Sequence, residues 1–225
     1  MDLPAPFLIR RGGIFAPHDY YSLWVALEKT NFVAGKRILD LGTGAGPFAL
    51  IAAHFGADFV VGTDVNGLSL VDAERNAARM GWSSKSDFRL VSLESPQAYS
   101  VVQPGERFDI IISNPPELDE VPRAGDVEDY SEKDPGYQFV LSMFDGLPEV
   151  LTPGGQLVLL YAGASGVPVV QNRVRELGLE GVIDLREGSM SLLRHRPLAN
   201  HEDYGSYVPL IRIAQPNLEG RTSVP

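Results

Sequence analysis

Short apolar runs alternate with amphipathic segments along most of this chain, and this alternation predicts strands and helices in turn. The strand segments are apolar nearly throughout, as strands of a parallel sheet covered on both faces are. The predicted strands are Arg37–Leu41, Asp58–Thr63, Phe88–Val91, Phe108–Ser113, Gln156–Tyr161, Gly181–Arg186 and Tyr207–Ile213.

The segments between these strands have helical signals. Pro47 suits the first turn of a helix, and Asn66 suits a helix N-cap. Apolar side chains recur at helical spacing after Asn66, up to Gly81, which ends the pattern. The predicted helices are Tyr20–Thr30, Pro47–His54, the segment from Asn66 to Met80, Tyr137–Phe144 and Val169–Leu177.

Strands that alternate with helices predict an α/β fold, with a seven-stranded, mostly parallel sheet and helices on both faces. The 225 residues suit one compact core. We expect this core to span residues 35–215, after an N-terminal helical segment or lid at residues 1–34 and before a flexible tail at residues 216–225.

Composition narrows the classes of function. The chain has no cysteine, which excludes disulfides and thiolate metal sites, and its histidines have no metal-ligand spacing, so no metal is expected. No apolar run is long enough to span a membrane, and the N-terminus has no secretory pattern, so a cytoplasmic protein is expected. The net charge of −10 makes nucleic acid an unlikely partner, because phosphate binding normally needs a basic surface.

The first candidate site is the glycine-rich turn Asp40–Gly46, between the first predicted strand and the helix that follows it. Glycines allow a close backbone approach and positive φ, and ligands of open α/β sheets bind at the carboxyl ends of the strands. Asp64 ends the second strand, where a carboxylate can accept hydrogen bonds from both hydroxyls of a ribose. Both features would also fit NAD, although the third glycine comes one residue too early for the spacing of that motif.

The segment Asn114-Pro115-Pro116 directly follows the fourth strand, and this third feature decides against an NAD site. The two prolines fix an extended turn. Such a turn offers the Asn114 carboxamide oxygen and the Pro115 carbonyl as two acceptors for an NH₂ group, whose lone pair is then left for an electrophile.

With these three features the chain resembles class I S-adenosylmethionine-dependent methyltransferases, in the branch with an Asn-Pro-Pro motif that methylates nitrogen. That branch includes release-factor glutamine and nucleobase N-methyltransferases. The resemblance implies a Rossmann-like sheet and S-adenosyl-L-methionine as cofactor. It also implies a set of cofactor-binding residues, namely Asp40, Gly42, Gly44, Gly46, Asp64, Ser92, Glu94 and Asn114.

One position departs from the pattern of this family. The residue after Asn-Pro-Pro is usually aromatic there, whereas this chain has Glu117 at the start of an acidic stretch that extends to Asp134. We expect Asn114, Pro115 and Glu117 to be the catalytic residues, with Glu117 selecting a cationic or basic acceptor and the acidic stretch as a lid that attracts positive charge.

The sequence therefore predicts a methyltransferase that acts on a nitrogen of a small amine, amidine or amide metabolite, with a small and possibly cationic molecule as partner. Two alternatives stay open: a protein glutamine or nucleobase N-methyltransferase, and a use of the same cofactor without methylation, such as a cyclisation. The oligomeric state is not predicted.

Overall fold

A computed structural model describes residues 31–161, 165–184 and 210–214 of the chain. Five parallel strands form the body of one sheet, in the order β3-β2-β1-β4-β5. They are β1 (Arg37–Leu41), β2 (Phe59–Asp64), β3 (Ser86–Leu90), β4 (Phe108–Ser113) and β5 (Leu151–Leu160). Two further segments, β6 (Glu180–Asp184) and β7 (Leu210–Ala214), continue the order beyond β5 as β5-β7-β6 with antiparallel pairing.

The helices connect the parallel strands. They are α1 (Pro47–His54), α2 (Gly67–Arg79), α3 (Gln138–Asp145), the single turn α4 (Leu147–Val150) and α5 (Val167–Glu176). As predicted, Asn66 caps α2: its side chain accepts hydrogen bonds from the N–H groups of Leu68 at 3.0 Å and Ser69 at 3.3 Å. The predicted α/β class, with parallel strands and helices, is confirmed for this part of the chain.

Successive residues of the central strands face opposite sides of the sheet, and both sides are covered. Ile38, Ile110 and Ile112 pack against Phe48 of α1 in one core cluster. Leu39, Leu41 and Ile111 pack in a second cluster with α3 and α5. This double burial explains why these strands are apolar without alternation.

The segment Pro153-Gly154-Gly155, whose residues favour a turn before the fifth strand, lies inside a strand instead. Strand β5 already begins at Leu151, which pairs with Phe108, and the next pair joins Gln156 to Ile110. The extra residues on β5 form a bulge in which Gly154 has φ +77°. The turn residues thus mark an irregularity within the strand and not its start.

Several predictions concern residues outside the described ranges: the helix Tyr20–Thr30, His18, His195, His201 and the tail 216–225. The division into three segments stays a prediction. Among the described residues, no helix is long and apolar enough to cross a bilayer.

Candidate functional site

A cavity of about 770 Å³ lies at the carboxyl ends of the parallel strands, where β1 lies between β2 and β4. This volume falls within the usual range of ligand pockets, roughly 300–1,000 Å³. The strand order changes direction between β1 and β4, which is where ligands of open α/β sheets bind. The predicted site residues that line the cavity are Gly42, Gly44, Asp64, Glu94 and Asn114.

The glycine loop forms one wall of this cavity, and its backbone is held by β2. The N–H groups of Gly42 and Thr43 both donate to the Thr63 carbonyl at 2.8 Å. Gly42 has φ +72° and Gly44 φ +55°. Only glycine adopts such angles without strain, so these two glycines allow the chain to turn directly against the cavity.

Gly46 serves packing and does not line the cavity. Its φ is +86°, and an added Cβ would lie 3.2 Å from the Cβ of Ala73 on α2. A side chain here would therefore push α1 and α2 apart.

Asp40 lies beneath the loop, fully buried and outside the cavity lining. Its Oδ2 accepts hydrogen bonds from the Thr43 hydroxyl at 2.7 Å and the Ala49 N–H at 3.0 Å. Gly46, the N-cap of α1, has no side chain to cap the helix, so Asp40 does this from β1. Burial raises the pKa of Asp40 to about 7, because its ionised form loses water that the two hydrogen bonds only partly replace.

Asp64 joins the glycine loop to the start of α2. Its Oδ2 accepts from the Gly44 N–H at 2.8 Å and its Oδ1 from the Asn66 N–H at 2.7 Å. Burial raises the pKa of Asp64, and these backbone donors oppose the shift. Each carboxylate oxygen has two acceptor sites, so Asp64 keeps acceptor capacity at the cavity wall.

Ser92 and Glu94 follow β3 and are both exposed. The Ser92 hydroxyl accepts a hydrogen bond from the Glu94 N–H at 3.2 Å. Glu94 lines the cavity, whereas Ser92 does not. Of these two residues, both expected to bind the cofactor, Glu94 is thus the one in a position to contact a ligand.

Asn114 reaches the cavity because β4 lies directly beside β1. Leu41 pairs with Ser113, and the Ser113 hydroxyl donates to the Leu41 carbonyl at 2.8 Å. The two residues that follow this pair, Gly42 and Asn114, both line the cavity. Pro115 is buried and lies outside the lining, as does Glu117.

The acidic stretch after Asn114–Pro116 is folded back on itself. The N–H groups of Glu117 and Leu118 donate to the Glu132 carbonyl, at 3.1 and 2.8 Å. Asp129 accepts from the Arg123 side chain at 2.9 Å and from Lys133 Nζ at 3.0 Å. Both basic side chains of the stretch are therefore paired within the loop, which keeps a negative net charge.

Several lining residues carry no sequence motif. Val121, Pro122, Val127, Tyr130 and Phe139 come from this folded loop and the start of α3. They line the cavity together with the charged Glu128, Lys133 and Asp134 of the same loop. Their spacing along the chain is irregular, so no periodic signal marks them. Among the described residues, no cluster of potential metal ligands is found.

Comparison with known proteins adds to this geometry. The methyltransferase domain family matches residues 32–177. The release factor glutamine methyltransferase of Xylella fastidiosa (strain Temecula1) is 30% identical over 171 residues, which cover 72% of this chain and 59% of that protein. The tRNA1(Val) (adenine(37)-N6)-methyltransferase of Bacteroides fragilis is 27% identical over 142 residues, which cover 61% of this chain and 54% of that protein.

The fold is shared more widely. The crystal structure of a methyltransferase from Pyrococcus furiosus superposes with a TM-score of 0.62 at 19% identity, covering 92% of this chain and 88% of that one. The chain spans less than two thirds of the length of the two curated relatives.

These relatives correct the predicted partner. The expectation of a small, possibly cationic molecule, with nucleic acid unlikely, is wrong: the relatives are named for a protein release factor and a tRNA. The prediction rested on the net charge, which sums over the whole chain and does not describe the local surface that meets a partner.

Proposed function

This chain belongs to the methyltransferase domain family, with S-adenosylmethionine as cofactor, and we propose that it methylates the side-chain amide nitrogen of a glutamine in a protein. When bound, the cofactor supplies a methyl group already activated on a sulfonium. The protein's task is then to hold the acceptor nitrogen in line with that methyl group and to exclude water.

The described residues fit the cofactor. Asp64, at the end of β2, keeps acceptor capacity for ribose hydroxyls. Gly42 and Gly44 give a wall without side chains, and Glu94 lines the same cavity. We assign Asp40 and Gly46 an indirect part, since both shape the loop from behind.

One observation carries the proposal: Asn114 and the glycine loop end adjacent parallel strands and line the same cavity. Adjacent strands lie about 4.8 Å apart, so an acceptor bound at Asn114 lies next to the cofactor. The carboxamide oxygen of Asn114 is suited to accept a hydrogen of an amide NH₂. Pro115, whose carbonyl is the predicted second acceptor, lies outside the lining, so its part stays a prediction from the sequence. Glu117 does not line the cavity, and its catalytic role stays a prediction from the sequence.

The release factor relative favours a glutamine acceptor, because it matches the larger share of this chain. The exocyclic amine of an adenine is the second candidate, since an adenine N6-methyltransferase is also a relative. Both groups are planar NH₂ groups that two acceptors can orient. We further propose that β6 and β7 complete a seven-stranded sheet.

The test is methyl transfer from labelled S-adenosylmethionine to two acceptors in parallel: proteins from a ribosome-associated fraction, and total tRNA. We expect label in protein, recovered as N-methylglutamine after enzymatic digestion. Label in tRNA instead would select the second candidate. A cofactor-derived product with no labelled acceptor would contradict methylation and favour a cyclisation.

Asn114→Ala is expected to lower kcat by about 100-fold or more, because misplaced reacting groups typically cost that much. Affinity for S-adenosylhomocysteine should change little in this variant. Asn172→Ala is the matched control, since Asn172 is exposed on α5 and far along the chain from the cavity residues. Equal loss of turnover in both variants, or loss of cofactor affinity with turnover retained, would contradict the assignment of Asn114.

A further inference from the structure

A buried polar side chain interrupts the apolar face of α2 and contacts the glycine loop from behind. Asn76 is fully buried, near Ala73 and Ala77 on the same helix. Its Nδ2 donates to the Ala45 carbonyl at 3.0 Å, across 31 positions of sequence. A buried amide without partners is costly, and alanine or leucine would suit this face better. The hydrogen bond to Ala45 therefore needs an explanation beyond packing.

This hydrogen bond completes a clamp on the loop. The peptide that joins Ala45 to Gly46 is held at both ends, because the Gly46 N–H donates to the Thr43 carbonyl at 2.9 Å. The Gly44 N–H is held by Asp64 at 2.8 Å. The peptide between Gly44 and Ala45 thus lies between two fixed neighbours.

The Ala45 N–H is different from the other amides of the loop. Gly42, Thr43, Gly44 and Gly46 all donate to protein acceptors. Within the described residues, no hydrogen bond uses the N–H of Ala45, although Ala45 lines the cavity. An amide donor held in place and left unused beside a cavity is suited to bind an anionic group.

We infer that Asn76 is a positioning residue for the cofactor: it fixes the Ala45–Gly46 peptide and so keeps the Ala45 N–H in place for the cofactor carboxylate. The inference rests on the cofactor and not on the acceptor proposed above. Failure of the acceptor assay would therefore leave it standing, and its own test needs no acceptor.

The variant Asn76→Asp should show a pH dependence of cofactor affinity that a purely packing role of Asn76 would not produce. The side chain keeps its shape, but an ionised carboxylate repels the Ala45 carbonyl, whereas the protonated form donates its O–H to it. Of the nearby charged groups, Asp72 lies one turn before Asn76 on α2 and pairs with Arg75 at 3.6 Å. Asp40 and Asp64 hold the loop that Asn76 contacts, through Thr43 and Gly44. Burial and these carboxylates favour the protonated form of the new side chain, so its titration should fall in an accessible pH range.

We expect Asn76→Asp to bind S-adenosylhomocysteine about 10-fold to 100-fold more weakly than the parent at about pH 8, as measured by calorimetry; this is the range for a buried acceptor that loses its donor. The ratio of the two dissociation constants should approach one as the pH falls toward about 5.5. Because the parent also contains Asp40 and Asp64, taking the ratio to the parent at each pH cancels the effect of their titration on the dissociation constant. Asn172→Asp adds the same charge on the exposed face of α5 and should bind like the parent throughout.

Asn76→Leu covers the case in which the first variant does not fold at high pH. It keeps a branched side chain of four heavy atoms and removes the donor, so its affinity should fall at every pH. Its melting temperature without ligand shows whether the variant is folded. Parent-like affinity in a folded Asn76→Leu protein would overturn the inference. A loss in Asn76→Asp that does not depend on pH would overturn it as well.

Discussion

Asp40 should make the free protein less stable as the pH rises. The pKa of its carboxyl rises from an ordinary value of 3.8 to about 7 in the folded protein, because burial disfavours the ionised form. Between these values the folded state binds a proton that the unfolded state has lost, so the free energy of unfolding falls with increasing pH. Three pKa units correspond to about 4 kcal/mol once the pH is well above 7. About 2–3 kcal/mol of this is lost between about pH 5 and about pH 8.

Asp40→Asn isolates this contribution. An asparagine keeps one oxygen to accept from Thr43 and Ala49 but does not ionise. Urea unfolding of both proteins at several pH values gives their free energies of unfolding, and the variant should gain about 2–3 kcal/mol relative to the parent between about pH 5 and about pH 8. Other titrating groups contribute equally to both proteins and cancel. A parallel pH dependence in the two proteins would show that Asp40 titrates near its ordinary value, and the argument from its burial would then be refuted.

Two further predictions concern the cavity. Asp64→Ala should weaken S-adenosylhomocysteine binding by about 10-fold or more in calorimetry, since it removes the proposed acceptor for the ribose and releases the Gly44 N–H. Unchanged affinity would show that Asp64 only holds the turn. Asp129→Asn should raise the KM for the acceptor several-fold without changing cofactor affinity, because it loosens Arg123 and Lys133 in the loop that lines the cavity. That effect should persist into mild acid, since Arg123 holds the pKa of Asp129 below its ordinary range. Equal KM values for Asp129→Asn and the parent would show that this loop does not contribute to binding of the acceptor.

The sequence predicted the parallel strands and the helices between them because each of those signals is local. The apolar run of β4, the Asn66 cap and Gly81 after α2 act within a few residues of where they stand. The bulge at Pro153–Gly155 shows the limit of such signals. Turn residues indicate a local bend, but only pairing with β4 decides whether the strand continues past it.

Asn76 was missed for a related reason. A single polar residue on an apolar helix face is compatible with a core position, a ligand contact or a helix edge. Its partner, the carbonyl of Ala45, carries no side-chain signal at all. Only the packing of α2 against the loop, where Gly46 meets Ala73, brings the two groups together.

The two halves of the cavity differ in how far a sequence can specify them. One wall is built from residues at the ends of β1 and β2 and directly after them, so the strand order fixes their position at the cavity. The opposite wall comes from a loop whose shape depends on its own ion pairs, Arg123–Asp129 and Lys133–Asp129. A count of charges treats Asp129 as free to attract a cation, although the structure pairs it with both basic side chains of the loop. The loop brings the apolar Val121 and Val127 to the cavity, and with them the charged Glu128 and Lys133. Shape and hydrogen bonding at that surface, and not the net charge of the chain, should therefore decide between a glutamine and a nucleobase.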